Sequence, residues 1–157
     1  MLSTPESWAT LGGGIALAGG VIGSAIGIAI AGSAGLATLA TDSKQFRNVI
    51  ILASIPMSQT FYGLIVFILI LTVVVPRVVE LGGGSGFAVF ACGLMAAFAF
   101  CFSAAWKGDV LASGIAMLPK TKGRILTNSL MLAVFVELIG VLGLVFTILA
   151  LSMLGLM

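Results

Sequence analysis

The chain has 157 residues, of which 61% are hydrophobic and only 8% charged, and its mean hydropathy is +1.30. These values lie outside the range of soluble globular domains and describe an integral membrane protein. Seven basic and five acidic residues leave a net charge of +2, which makes no case for nucleic acid, and the lack of histidine with only two cysteines gives no metal-type cluster.

The first nine residues carry Glu6 and no basic run, so this segment does not read as a cleaved signal peptide and the first span is expected to stay in the mature protein. That span covers roughly 8–39. It contains a ladder of small residues, Gly19, Gly23, Gly27, Ala31 and Gly35, four apart and therefore on one helical face. Such a ladder lets backbones approach closely. It serves either ordinary pairing of two membrane helices or, better suited to its length, a crowded inner layer where the same helix from many subunits packs at small radius.

A short polar link at 41–45 leads to the second span, 49–75. Here Pro56, Met57, Ser58, Gln59 and Tyr62 gather in an otherwise apolar run. Pro56 removes an intrahelical hydrogen bond, frees the Leu52 carbonyl and loosens the backbone around Ile55. A second link is expected at 76–86, where Pro76 precedes a glycine-rich stretch. The third span, 87–118, has a weaker small-residue face of Gly108, Ala112 and Ala116. It also holds Cys92 and Cys101, read as small core residues, and the charged pair Lys107 and Asp109. A third link, 119–124, opens the last span, 125–157, whose one acid is Glu137. Placing a charge that deep in a bilayer costs at least about 2.5–3.5 kcal/mol, so the acid reads as functional and needs a partner. A bound cation is the simplest.

Each stretch exceeds the ~20 residues needed to cross a bilayer. Backbone groups in lipid must be satisfied within their own segment, and no alternating barrel pattern occurs, so the expected fold is all-α with four transmembrane helices. Short links make neighbours antiparallel, giving two hairpins in series, 1–80 and 81–157. Lys44 and Arg47 flank the first link and Lys120, Lys122 and Arg124 the third, against Arg77 alone near the second. Links one and three are therefore expected in the cytoplasm, with both termini outside.

The hairpins repeat each other. A shift of 79 residues places Ser24 on Ser103, Gly35 on Gly114 and Leu39 on Leu118, and a shift of 80 beyond the polar link places Asn48 on Asn128 and Gly63 on Gly143. The copies are parallel. Glu137 then falls on Met57, so one copy has the acid and the other has lost it.

Ser58 and Glu137 lie at similar distances from links one and three, so the ~1.5 Å rise per residue brings them to similar depth. A hydroxyl, an amide oxygen, a carboxylate and a backbone carbonyl are hard ligands suited to a small cation, and Tyr62 could hydrogen-bond the carboxylate. Alone, Ser58, Gln59 and Tyr62 could equally bridge helices.

Tandem hairpins, one Glu before the Gly140–Gly143 stretch, a glycine-rich first helix and the run Pro56-Met-Ser-Gln-Thr-Phe-Tyr62 together resemble the duplicated proteolipid (c- or K-type) subunit of V-type rotary ATPases. The resemblance implies a homo-oligomeric membrane ring whose Glu binds H+ or Na+. It implies a stator subunit against which the ring turns, and central-stalk subunits at links 41–45 and 119–124. No other cofactor is implied. By resemblance to sodium-type members, Glu137, Gln59, Ser58, Tyr62 and the Ile55 carbonyl map onto the ion site. Where such rings supply a Gln from the third helix, this chain has Lys107. Thirteen residues separate Lys107 from Lys120 and Arg124 from Glu137, so Lys107 is expected near the acid, where it would compete with a transported cation. Asp109 is then expected to compensate, meeting Lys107 through a bent side chain or from an adjacent subunit because i and i+2 do not share a face, or else Lys107 lies on a hydrated inner face away from the ion.

The resemblance further implies a non-catalytic subunit, and no Gly-x-x-x-x-Gly-Lys-Ser/Thr loop is present. Bare links suit a prokaryotic plasma membrane. Two other readings are a four-helix cation-coupled secondary transporter, for which inverted halves would be more natural, and a structural membrane oligomer, which leaves Glu137 and Gln59 without purpose.

Overall fold

The computed structural model describes residues 4–157. Residues 1–3, part of the segment read as lacking a leader, lie outside them. Four long apolar helices make up the described chain: α1 (Pro5–Thr41), α2 (Ser43–Leu81), α3 (Ser85–Thr121) and α4 (Leu126–Met153). At 1.5 Å per residue, α1 and α3 reach about 55 Å and overrun a bilayer's ~30 Å hydrocarbon core.

The helices are antiparallel neighbours, so the first and third links share one end. They touch there: Gly123 packs beside the side chains of Asn48 and Gln45. The second link is shorter than expected. Pro76 does not end α2, because a π-helical turn over Ile70–Val74 re-pairs the backbone upstream and lets the proline sit in the first turn of a new α segment, Val75–Leu81. The chain reverses only at Gly82–Gly84, with Gly82 and Gly83 both at positive φ, where a side chain would be strained.

The most extensive contact joins α1 to α3, and glycine makes it possible. A methyl group on Gly19 would fall 2.5 Å from the Ala97 backbone, on Gly23 2.5 Å from the Cys101 carbonyl and on Gly27 2.4 Å from the Ala104 carbonyl. Gly19, Gly23 and Gly27 of the ladder thus meet α3 of the same chain, whereas Gly35 meets Val49 of α2. The matching face of α3 runs through Gly93, Ala97, Ala104 and Gly108, whereas Ala116, expected on it, is exposed. With α1 and α3 back to back, α2 and α4 flank them.

Two apolar cores result. One holds Val66, Ile70, Val89, Phe100 and Leu151 towards the second link. The other holds Val49, Leu52, Leu111, Leu118 and Ala133 towards links one and three. Between them lies a polar layer.

Candidate functional site

The polar layer forms where α2, α3 and α4 converge. Pro56 starts it: the helix tightens to a 3-10 turn over Ile55–Met57 before α geometry resumes at Ser58. The Pro56 carbonyl accepts a hydrogen bond from Ser24 Oγ at 2.7 Å, so α1 pins the kink. One helical turn beyond it then presents Ser58, Gln59 and Tyr62 to α4.

Glu137 receives them with a side chain 20% exposed. Tyr62 donates its hydroxyl to Oε1 at 2.6 Å. Ser58 Oγ and Gln59 Nε2 donate to Oε2 at 3.0 and 3.3 Å. The same oxygen forms an ion pair with the Lys107 ammonium from α3, whose side chain is wholly buried. Lys107 Nζ also donates to Ser58 Oγ and to Gln59 Oε1, each at 2.7 Å. A hydroxyl, an amide carbonyl and a carboxylate thus surround one ammonium.

Ser103 and Gly140 complete the arrangement. Gln59 Nε2 donates to Ser103 Oγ at 3.0 Å, and Ser103 in turn donates to the Val136 carbonyl at 2.8 Å. Gly140 makes room for the amide, since a methyl group there would fall 2.9 Å from Gln59 Nε2. Among the described residues, no buried side-chain nitrogen or oxygen lacks a hydrogen-bond partner. On the outer flank a recess of about 320 Å³, lined by Ile55, Ser58, Leu130, Ala133, Val134 and Glu137, leaves the carboxylate side open.

The structure therefore brings Ser58, Gln59, Tyr62 and Lys107 to Glu137. Ile55 lines the recess, but its carbonyl lies 3.2 Å from Ser58 Oγ as an alternative acceptor for that hydroxyl, and not against Lys107. Asp109 lies on the exposed side of α3, so no bent side chain brings it to Lys107 within this chain. One expectation is corrected: Lys107 does not lie on a hydrated face, for it is 0% exposed. Ser103 and Gly140 were not expected at the site. Their signals were the repeat, which pairs Ser103 with Ser24, and the glycine spacing after Glu137.

The repeat persists in these contacts. Ser24 bonds the Pro56 carbonyl as Ser103 bonds that of Val136, and Gly35 packs on Val49 as Gly114 packs on Ser129. The ATP synthase C-subunit family matches twice, at residues 11–70 and 90–150, with the same displacement between copies. The chain belongs to that family. As a member of it, the chain is 32% identical over 141 residues to the A-type ATP synthase subunit K of Methanocaldococcus jannaschii, covering 90% of this chain and 60% of that protein. It is 31% identical over 132 residues to the V-type sodium ATPase subunit K of Enterococcus hirae, covering 82% of this chain and 80% of that one. The matched region thus spans about 60% of the Methanocaldococcus protein's length.

Proposed function

We propose that the chain is a rotor-ring subunit of a V/A-type rotary ATPase or ATP synthase, several copies closing a ring in the membrane. Glu137 exchanges H+ or Na+ as the ring turns against a stator subunit. The observation that carries this reading is the placement of Glu137: one carboxylate near the middle of α4, gripped by Tyr62, Ser58 and Gln59 yet opening to an apolar recess on the outer flank. Close packing of α1 on α3 suits the narrow inner wall of a ring, with α2 and α4 outside.

Charge then governs movement. A lone carboxylate cannot face lipid without a cost of at least about 2.5–3.5 kcal/mol, so Glu137 meets the bilayer only while it is paired, in this structure with the Lys107 ammonium. Against a hydrated path on the stator, Glu137 swings out through the recess and exchanges its ion. Every bond that holds its carboxylate comes from a side chain, so the acid can leave without breaking helix backbone. Links 41–45 and 119–124 dock on the central stalk at the cytoplasmic face, both termini lie outside, and the host is a prokaryotic plasma membrane. ATP chemistry belongs to a partner and this subunit is non-catalytic. Relatives named as subunits K of an ATP synthase and of a sodium ATPase support this assignment.

The test uses membranes that hold the assembled complex. Glu137→Gln should abolish ATP-driven ion uptake, while Glu80→Gln, which alters an exposed acid paired only with Arg77, should leave it intact. Uptake that survives Glu137→Gln would overturn the proposal.

A further inference from the structure

We infer that the Lys107 ammonium is a built-in cation that fills the seat between Ser58, Gln59 and Glu137 and closes it to Na+, so that Lys107 sets ion specificity at this site. The inference rests on the rotor reading above and deepens it. Of the two cargoes proposed there, it removes the metal ion.

Three oxygens converge on Nζ: the Ser58 hydroxyl and the Gln59 amide, both at 2.7 Å, and the Glu137 carboxylate. Hard oxygen donors of these kinds suit a small, partly dehydrated cation. An ammonium has three N–H groups, and three acceptors meet them. No donor of Lys107 is left over.

The amide is held in the orientation this needs. Ser103 gives its only proton to the Val136 carbonyl, so towards Gln59 it can only accept. Gln59 therefore turns Nε2 to Ser103 and Oε1 to Lys107. Ser103 is a positioning residue acting through Gln59.

Lys107 is 0% exposed, and the next residue, Gly108, is pressed on Gly27 so tightly that a methyl group would sit 2.3 Å from the Gly27 Cα. That contact fixes the backbone that carries Lys107 against α1. A Na+ entering the seat would displace Nζ or share its ligands, placing two positive charges beside one carboxylate. Asp109 faces away and offers no second acid within the chain. The remaining charged groups lie at the helix ends, too far to compensate.

The decisive measurement is equilibrium binding of radioactive Na+ to the detergent-purified full chain. The wild type should retain no more Na+ than Lys107→Gln/Glu137→Gln, and Lys107→Gln should retain at least about tenfold more than either, because an amide oxygen replaces a buried positive charge. Wild-type binding at the level of Lys107→Gln would overturn the inference, as would a folded Lys107→Gln that gains nothing. Should that variant fail to fold, the wild type still decides. A ligand that binds only the folded state raises its unfolding temperature, so Na+ should leave the wild-type midpoint where an equal concentration of choline leaves it. A Na+-specific rise overturns the inference. The rotor reading fails on a separate arm, since it is judged by ATP-driven uptake with Glu137→Gln and not by Na+ binding.

Discussion

Glu137 and Lys107 leave water together, and the pair is stable only because each satisfies the other. An ammonium with 0% exposure and a carboxylate with 20% would each carry a heavy desolvation cost alone. The expected outcome is an asymmetric mutational pattern. Lys107→Met matches the side chain in length but strands the carboxylate, and should destabilise the protein by about 3–5 kcal/mol. Adding Glu137→Gln should recover most of that. Tyr62→Phe removes one interhelical hydrogen bond and leaves the pair, so its cost should stay near 0.6–1.7 kcal/mol, roughly the range for such bonds in membranes. Titration with denaturing detergent in mixed micelles would rank the variants, and a Tyr62→Phe cost equal to that of Lys107→Met would show that the ion pair is not the dominant contact. At this scale the chemistry was largely legible. Polar residues in an apolar span announce themselves, and counting residues from the links placed Ser58, Lys107 and Glu137 at one depth. Counting gives depth but not direction around the helix. Asp109, two residues from Lys107, sits about 200° further round and faces away from the site of its own chain.

Among the helices, glycine has two unlike uses, and the structure separates them. Gly23 is a contact residue, since a methyl group there would meet the Cys101 carbonyl at 2.5 Å, whereas Gly14 has no heavy atom within 4 Å of its would-be Cβ. Gly23→Ala should push α1 off α3 and cost about 1–3 kcal/mol, typical of overpacking. Gly14→Ala relieves a helix of its most flexible residue and should stabilise by up to about 1 kcal/mol. Thermal unfolding in detergent checks both signs, and equal effects would contradict the contact geometry. The i, i+4 spacing of the ladder showed which face of α1 is crowded but not what crowds it, because small residues invite any close neighbour. Pro76 misled for a related reason. A proline signals a missing donor, and a π turn just upstream repairs the loss in a way no local pattern reveals.

Across the whole molecule, the two hairpins each match the same family, yet they contribute different residues to a single site. Glu137 and Lys107 come from the second hairpin, while Ser58, Gln59 and Tyr62 come from the first, whose own acid position holds Met57 at 47% exposure. Neither hairpin could build the site alone. The same architecture sorts charge by end. Lys44, Arg47, Lys120, Lys122 and Arg124 gather where links one and three meet, whereas Arg77 at the opposite end is paired with Glu80 at 3.0 Å. Basic residues in short loops hold those loops in the cytoplasm, so this end should face inward and Gly82–Gly84 outward. Single cysteines at Ser43, Thr121 and Gly84, in a background with Cys92 and Cys101 replaced by alanine, put the orientation to a direct test. A membrane-impermeant maleimide added to intact cells should label only the Gly84→Cys protein, and inside-out vesicles should reverse the pattern. Labelling of Ser43→Cys from outside would invert the topology, move the proposed stalk contacts to the wrong side, and leave the five clustered bases without the membrane-potential and lipid-charge asymmetry that holds them in place.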